Sequence, residues 1–113
     1  MRRPGGNSPD MTAVLRRVAS TIARRFRPRR IVLFGSHAEG RAGPDSDLDL
    51  LVIVSRTVAS SRIRCALPDS IPIDVLVRTQ REVDRRLAAG DPFFREVLGK
   101  GKVLYESRRA RVG

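Results

Sequence analysis

The sequence predicts an α/β (α+β) domain, a small mixed sheet of three to four strands flanked by helices. Three observations predict it. Apolar residues recur at helical spacing from Met11 to Phe26, the stretch Leu48 to Val54 is apolar at both parities, and Ile71 to Val77 carries isoleucine and valine at every second position. With 113 residues and 41% hydrophobic content, the chain can bury one real core. The expected division is a flexible N-terminus over 1–9, a folded domain over 10–106 and a flexible tail over 107–113.

The elements follow in chain order. Ser8, Pro9 and Asp10 read as an N-cap, a first-turn proline and an acid near the positive end of a helix. Met11, Val14, Leu15, Val18, Ile22 and Phe26 form its apolar face, and Pro28 ends it. Arg16, Arg17, Arg24, Arg25 and Arg27 fall mostly on the other face, as a solvated surface. Ile31 to Phe34 is a buried strand stopped by Gly35. Leu48 to Val54 is a strand covered on both sides, and 55–70 is irregular with one helical turn around Val58 to Ile63. Ile71 to Val77 is a third strand beginning beside Pro72. Thr79 to Glu82 is a capping box whose helix ends at Gly90, and Asp91-Pro92 starts another that Gly99 and Gly101 close. Val103 to Tyr105 supplies an edge strand.

Composition narrows the function. A single cysteine, Cys65, and a single histidine, His37, cannot make a disulfide framework or a tetrahedral zinc site, and they fit a reducing cytoplasm. The longest unbroken aliphatic run, Leu50 to Val54, is far short of the roughly 20 residues that span a membrane. The net charge of +11 is unevenly placed. Residues 1–30 hold nine arginines against Asp10 alone, residues 78–113 hold ten basic groups against five acids, and the stretch 31–77 is acidic, with six acids against four arginines. An acidic centre between basic flanks suits a cation site framed by groups that attract phosphate. The alternative is an ordinary arginine-rich surface. RNA binding is compatible with the charge but is not favoured, because the aromatics fall mostly at apolar-face positions.

One constellation carries chemistry. Side chains at i and i+2 of a strand share a face, so Asp47 and Asp49 point the same way at the mouth of the second strand. Two such carboxylates repel unless a cation lies between them, and oxygen ligands favour Mg²⁺ or Mn²⁺. Asp74, the single acid of the third strand, lies on the face opposite Ile73 and Val75, where strand pairing could bring it beside the other two. Three acids from two strands suit a two-metal phosphoryl-transfer site. Gly35-Ser36, just past a buried strand, exposes backbone N–H groups and a hydroxyl to a phosphate.

Other motifs fail on their own chemistry. Gly35 to Ala42 looks like a P-loop but lacks the lysine and the metal-binding hydroxyl, and Gly43-Pro44 blocks the following helix. A Ser-His-Asp hydrolase would have to use adjacent Ser36 and His37, without the G-x-S-x-G elbow.

Leu33-Phe34-Gly35-Ser36, Gly40, Ser46-Asp47-Leu48-Asp49-Leu50 and Pro72-Ile73-Asp74-Val75 together resemble the minimal nucleotidyltransferase (MNT) family of the polymerase-β-like nucleotidyltransferase superfamily. The resemblance covers residues 10–106, since Glu96 to Tyr105 also looks like the family's closing helix and strand. It implies that Gly35 and Ser36 contact a nucleoside triphosphate, that Asp47 and Asp49 bind two Mg²⁺ ions (Mn²⁺ as a substitute), and that Asp74 binds one and deprotonates the acceptor. The implied reaction moves AMP from ATP to a hydroxyl, with a helical HEPN-type protein as toxin partner of an antitoxin. Where family members often carry arginine after Gly-Ser, this chain has His37 and Glu39, leaving Arg41 as the nearest fixed positive charge. The runner-up reading is a catalytically silent MNT-fold module that neutralises a partner by occlusion.

Overall fold

The structure, a computed structural model, describes residues 11–108. The expected cap at Ser8, Pro9 and Asp10, the segment 1–9 and the tail beyond Arg108 lie outside the described residues. The elements are α1 (Met11–Phe26), β1 (Arg30–Phe34), β2 (Leu48–Val54), α2 (Ser60–Cys65), β3 (Ile73–Thr79), α3 (Gln80–Ala88), α4 (Pro92–Lys100) and β4 (Lys102–Glu106). The four strands form one mixed sheet in the order β3-β2-β1-β4. β1 runs antiparallel to β2 and β4, and β2 runs parallel to β3. The mixed α/β class expected from the sequence is the one observed.

β2 is the centre, as its doubled apolar parity requires. Leu50, Leu51, Val52 and Ile53 are all fully buried, each worth roughly 1.5–3 kcal/mol against exposure. Leu48, Leu50, Val52 and Val54 face α1 and α2, packing with Val18, Ile22 and Ile63. Leu51 and Ile53 face the other way, against Val83 of α3 and Phe94 and Val97 of α4. Asp49 shares the parity of Leu51, so it stands on the α3/α4 face.

Two boundaries differ from expectation. β3 starts at Ile73 rather than Ile71, because Pro72 has no N–H to give a ladder and Ile71 belongs to a turn. Ile71 N–H donates to the Pro68 carbonyl at 3.4 Å, and its own carbonyl accepts from Arg64 Nη2 at 3.0 Å. β3 then runs two residues past Val77, since Arg78 and Thr79 pair with Ile53 and Val54. The helical turn near Val58 lies slightly later, at Ser60–Cys65, where Arg64 reaches the Leu67 and Pro68 carbonyls and fixes the return to β3.

The capping box is present in full: Glu82 N–H donates to Thr79 Oγ1 at 3.1 Å and Thr79 N–H donates to Glu82 Oε1 at 2.8 Å. Thr79→Ala is expected to lower stability by about 1 kcal/mol, read as a shift in the urea midpoint; an unchanged midpoint would show that the cap contributes nothing.

Candidate active site

The site is built where β1 ends and β2 begins. Gly35 leaves β1 with φ +76°, a backbone conformation that side-chain-bearing residues reach only under strain. A Cβ there would also collide with Asp49 Oδ2. The absent side chain therefore lets the turn sit directly against the carboxylate. The Gly35 carbonyl accepts from the N–H groups of Ala38 and Glu39, both at 3.1 Å, and the Ser36 carbonyl accepts from Arg41 N–H at 2.9 Å. The chain thus curls into consecutive turns rather than a helix, and the N–H groups of Ser36 and His37 at its start find no acceptor within the described residues. Two adjacent free amides beside a serine hydroxyl have the donor chemistry that suits an anion. His37 Nε2 lies 3.1 Å from the Ser46 carbonyl, holding the turn to the approach of β2.

The three acids come to one edge. Asp49 and Asp74 are direct register partners across the parallel β2-β3 ladder, where neighbouring strands lie roughly 4.8 Å apart. Asp47 precedes β2 by one residue, and Leu48 N–H donates to the Pro72 carbonyl at 2.9 Å, clamping the two strand mouths together. Asp49 is half-buried, whereas Asp47 and Asp74 are exposed. Burial holds the Asp49 carboxyl above the ordinary aspartate range, the charges of Asp74 and Asp47 push it further, and His37 opposes them. As they stand, the acids do not close around a point: among the described residues no three His, Cys, Asp or Glu side chains enclose a common position. A hard cation among them would turn the mutual repulsion of the carboxylates into attraction. An oxygen-only donor set around a half-buried, crowded carboxylate fits Mg²⁺ or Mn²⁺.

On the other side of Gly35, towards β4, lies a groove of 230 Å³ whose wall includes Phe34, Glu39, Arg41, Phe93, Glu96 and Lys100. Phe93, expected at an apolar-face position, is instead 44% exposed, stacked edge-on against Phe34 at 5.7 Å and Phe94 at 5.1 Å. Arg41 is in the groove but not free: its guanidinium meets Glu39 Oε1 at 3.2 Å. The second cation, Lys100, was not among the residues singled out from the sequence. A lysine in a helix's last turn ordinarily serves the dipole, so nothing local marks it. It arrives there because Gly101 packs against Val32 and the Leu33 carbonyl with no room for a Cβ, drawing the end of α4 onto β1.

Known proteins share this fold. The sequence profile of the nucleotidyltransferase domain matches residues 15–111. A Methanocaldococcus jannaschii protein, MJ0604, provisionally named a protein adenylyltransferase, is 30% identical over 84 residues, covering 72% of this chain and 82% of that protein. A Sulfolobus solfataricus protein provisionally named a nucleotidyltransferase superposes with a TM-score of 0.59 at 18% identity, over 88% of this chain and 82% of its own. A chain of the complex between a tri-AMPylated Shewanella oneidensis HEPN toxin and its MNT antitoxin superposes with a TM-score of 0.54 at 16% identity, over 89% and 76%. At such identities the two structures share the fold. By class, then, the protein is a transferase. The chain belongs to the nucleotidyltransferase domain family, as its Gly-Ser and Asp-x-Asp motifs implied.

Proposed function

We propose that the protein is an MNT-type adenylyltransferase, moving AMP from ATP to a hydroxyl on a helical HEPN-type partner, as the antitoxin of such a pair. The observation that carries this reading is the register of Asp49 with Asp74 beside a Gly35 turn that fits against Asp49. The AMPylated state of the toxin in the Shewanella oneidensis complex supports the choice of nucleotide and partner, and the name given to MJ0604 supports a protein acceptor.

In this reading the Ser36 hydroxyl and the Ser36 and His37 amides hold the phosphate tail. Asp47, Asp49 and Asp74 would hold divalent ions, whose chemistry is to neutralise charge on the reacting phosphate and leaving group. Asp74 takes the proton of the acceptor hydroxyl. The acceptor oxygen forms a bond to the α-phosphorus, the bond to the β-phosphate oxygen breaks, and pyrophosphate leaves with its electron pair. Arg41 contributes positive charge at the groove, reduced by its pairing with Glu39.

That pairing favours the second reading, a silent module that acts by occlusion, because it leaves the turn short of cationic help. Incubation with α-labelled ATP, Mg²⁺ and the co-purifying partner separates them. Labelled partner, lost on adding a chelator, is the expected result. Tight partner binding without label in any divalent metal would sink the enzymatic reading.

A further inference from the structure

A second cluster lies at the opposite end of the sheet. Ser55, just past the end of β2, is six residues from Asp49, roughly 20 Å at strand rise. There a cavity of 660 Å³ is walled by Arg24, Arg27, Arg29, Ser55 and Tyr105, with no acidic side chain among its lining residues. Arg27 has φ +48°, a left-handed conformation that costs a non-glycine residue. This bend at the end of α1 brings Arg27 and Arg29 to the same cavity as Arg24. Arg29 Nε is the one buried side-chain nitrogen or oxygen among the described residues that has no hydrogen-bond partner. Its neighbours show what such a group normally finds. Arg30, on the other face, gives Nε and Nη2 to Glu106 Oε2 at 2.9 and 2.6 Å, and Arg64 gives its guanidinium to three carbonyls.

A buried donor without an acceptor is costly, and an arginine offers Nε–H and Nη–H side by side to two oxygens of one anion. We propose that this cavity is a phosphate-binding site, taking a phosphate group, free or at the end of a nucleotide, on the Arg29 fork as the side chain turns its enclosed Nε–H towards the cavity, with Arg24 and Arg27 supplying further charge. The site is separate from the carboxylate edge and needs no transfer activity.

The test is a calorimetric titration of the full chain in a chelator, with inorganic phosphate, AMP and adenosine as probes. Phosphate and AMP are expected to bind, and adenosine is not. A tighter phosphate than AMP would assign the site to the free anion and the reverse to a nucleotide; either ranking supports it. Arg29→Gln is expected to weaken binding roughly tenfold or more. Arg29→Lys is expected to weaken it nearly as much, because a point charge cannot replace the fork. Binding that is unchanged in Arg29→Gln, absent from the wild type, or lost in Ser36→Ala overturns the proposal, the last because it would place the anion at the Gly35 turn. Should Arg29→Gln not fold, Arg24→Gln, at an exposed position, is expected to weaken phosphate several-fold, and wild-type affinity there overturns the proposal equally.

Discussion

The double substitution Asp47→Asn/Asp49→Asn is expected to lower AMP transfer on the order of 10³-fold or more, since removing even one charge-stabilising group from a transfer site commonly costs 10²–10³. Asparagine keeps the shape and β2 keeps its core, so the loss falls on chemistry. Stability is expected to move the other way. Asp49 is held above the ordinary aspartate range by burial, then by Asp74 and Asp47. The folded state therefore holds that proton more tightly than the unfolded chain. The stability so gained is present at low pH and is lost as pH rises through the ordinary aspartate range and past the raised value. Without metal, Asp49→Asn should thus melt above the wild type at pH 7, with the gap closing towards pH 4, and Mg²⁺ should raise only the wild type. Transfer by the double variant at the wild-type rate would refute the site, and equal melting at pH 7 in a chelator would refute its electrostatics.

The placement of the acids in the candidate site was legible because they carry period-two information. Asp47 and Asp49 stand out in a run that is otherwise apolar, and Asp74 is the lone acid of β3, so strand pairing had few ways to use them. Gly35-Ser36 was legible as a strand stop. The full capping box at Thr79 and the doubled parity of β2 came from local pattern alone. What sequence could not show is set by contacts between distant segments. The ion pair of Glu39 with Arg41 depends on how tightly the turn after Gly35 curls. Lys100 and Phe93 reach the groove because α4 lies on β1. Arg29 differs from its many fellow arginines in having a buried Nε without a partner, which no composition or spacing records. β3 was misjudged at both ends because hydrophobicity does not set its limits: Pro72 and the turn at Ile71 delay its start, and the ladder offered by β2 carries it to Thr79.

Gly35 offers a test in which backbone strain and active-site crowding can be separated within one experiment. Gly35→Ala places a Cβ at φ +76°, a conformation that costs an L-residue roughly 1–2 kcal/mol. It also drives that carbon into Asp49 Oδ2, so either the turn or the carboxylate must shift. A displacement of about 1 Å at a reacting centre can cost on the order of 10² in rate. Gly40 is the control. Its φ is +73°, yet a Cβ there meets nothing within 4 Å. Gly40→Ala should therefore lose a similar roughly 1–2 kcal/mol in denaturant melts while keeping transfer within several-fold of the wild type. Gly35→Ala should lose at least that much stability and roughly 100-fold in transfer. Equal loss of transfer in the two variants would mean that strain in the loop, not the fit of Gly35 against Asp49, governs the rate, and that the turn has no privileged place beside the carboxylates.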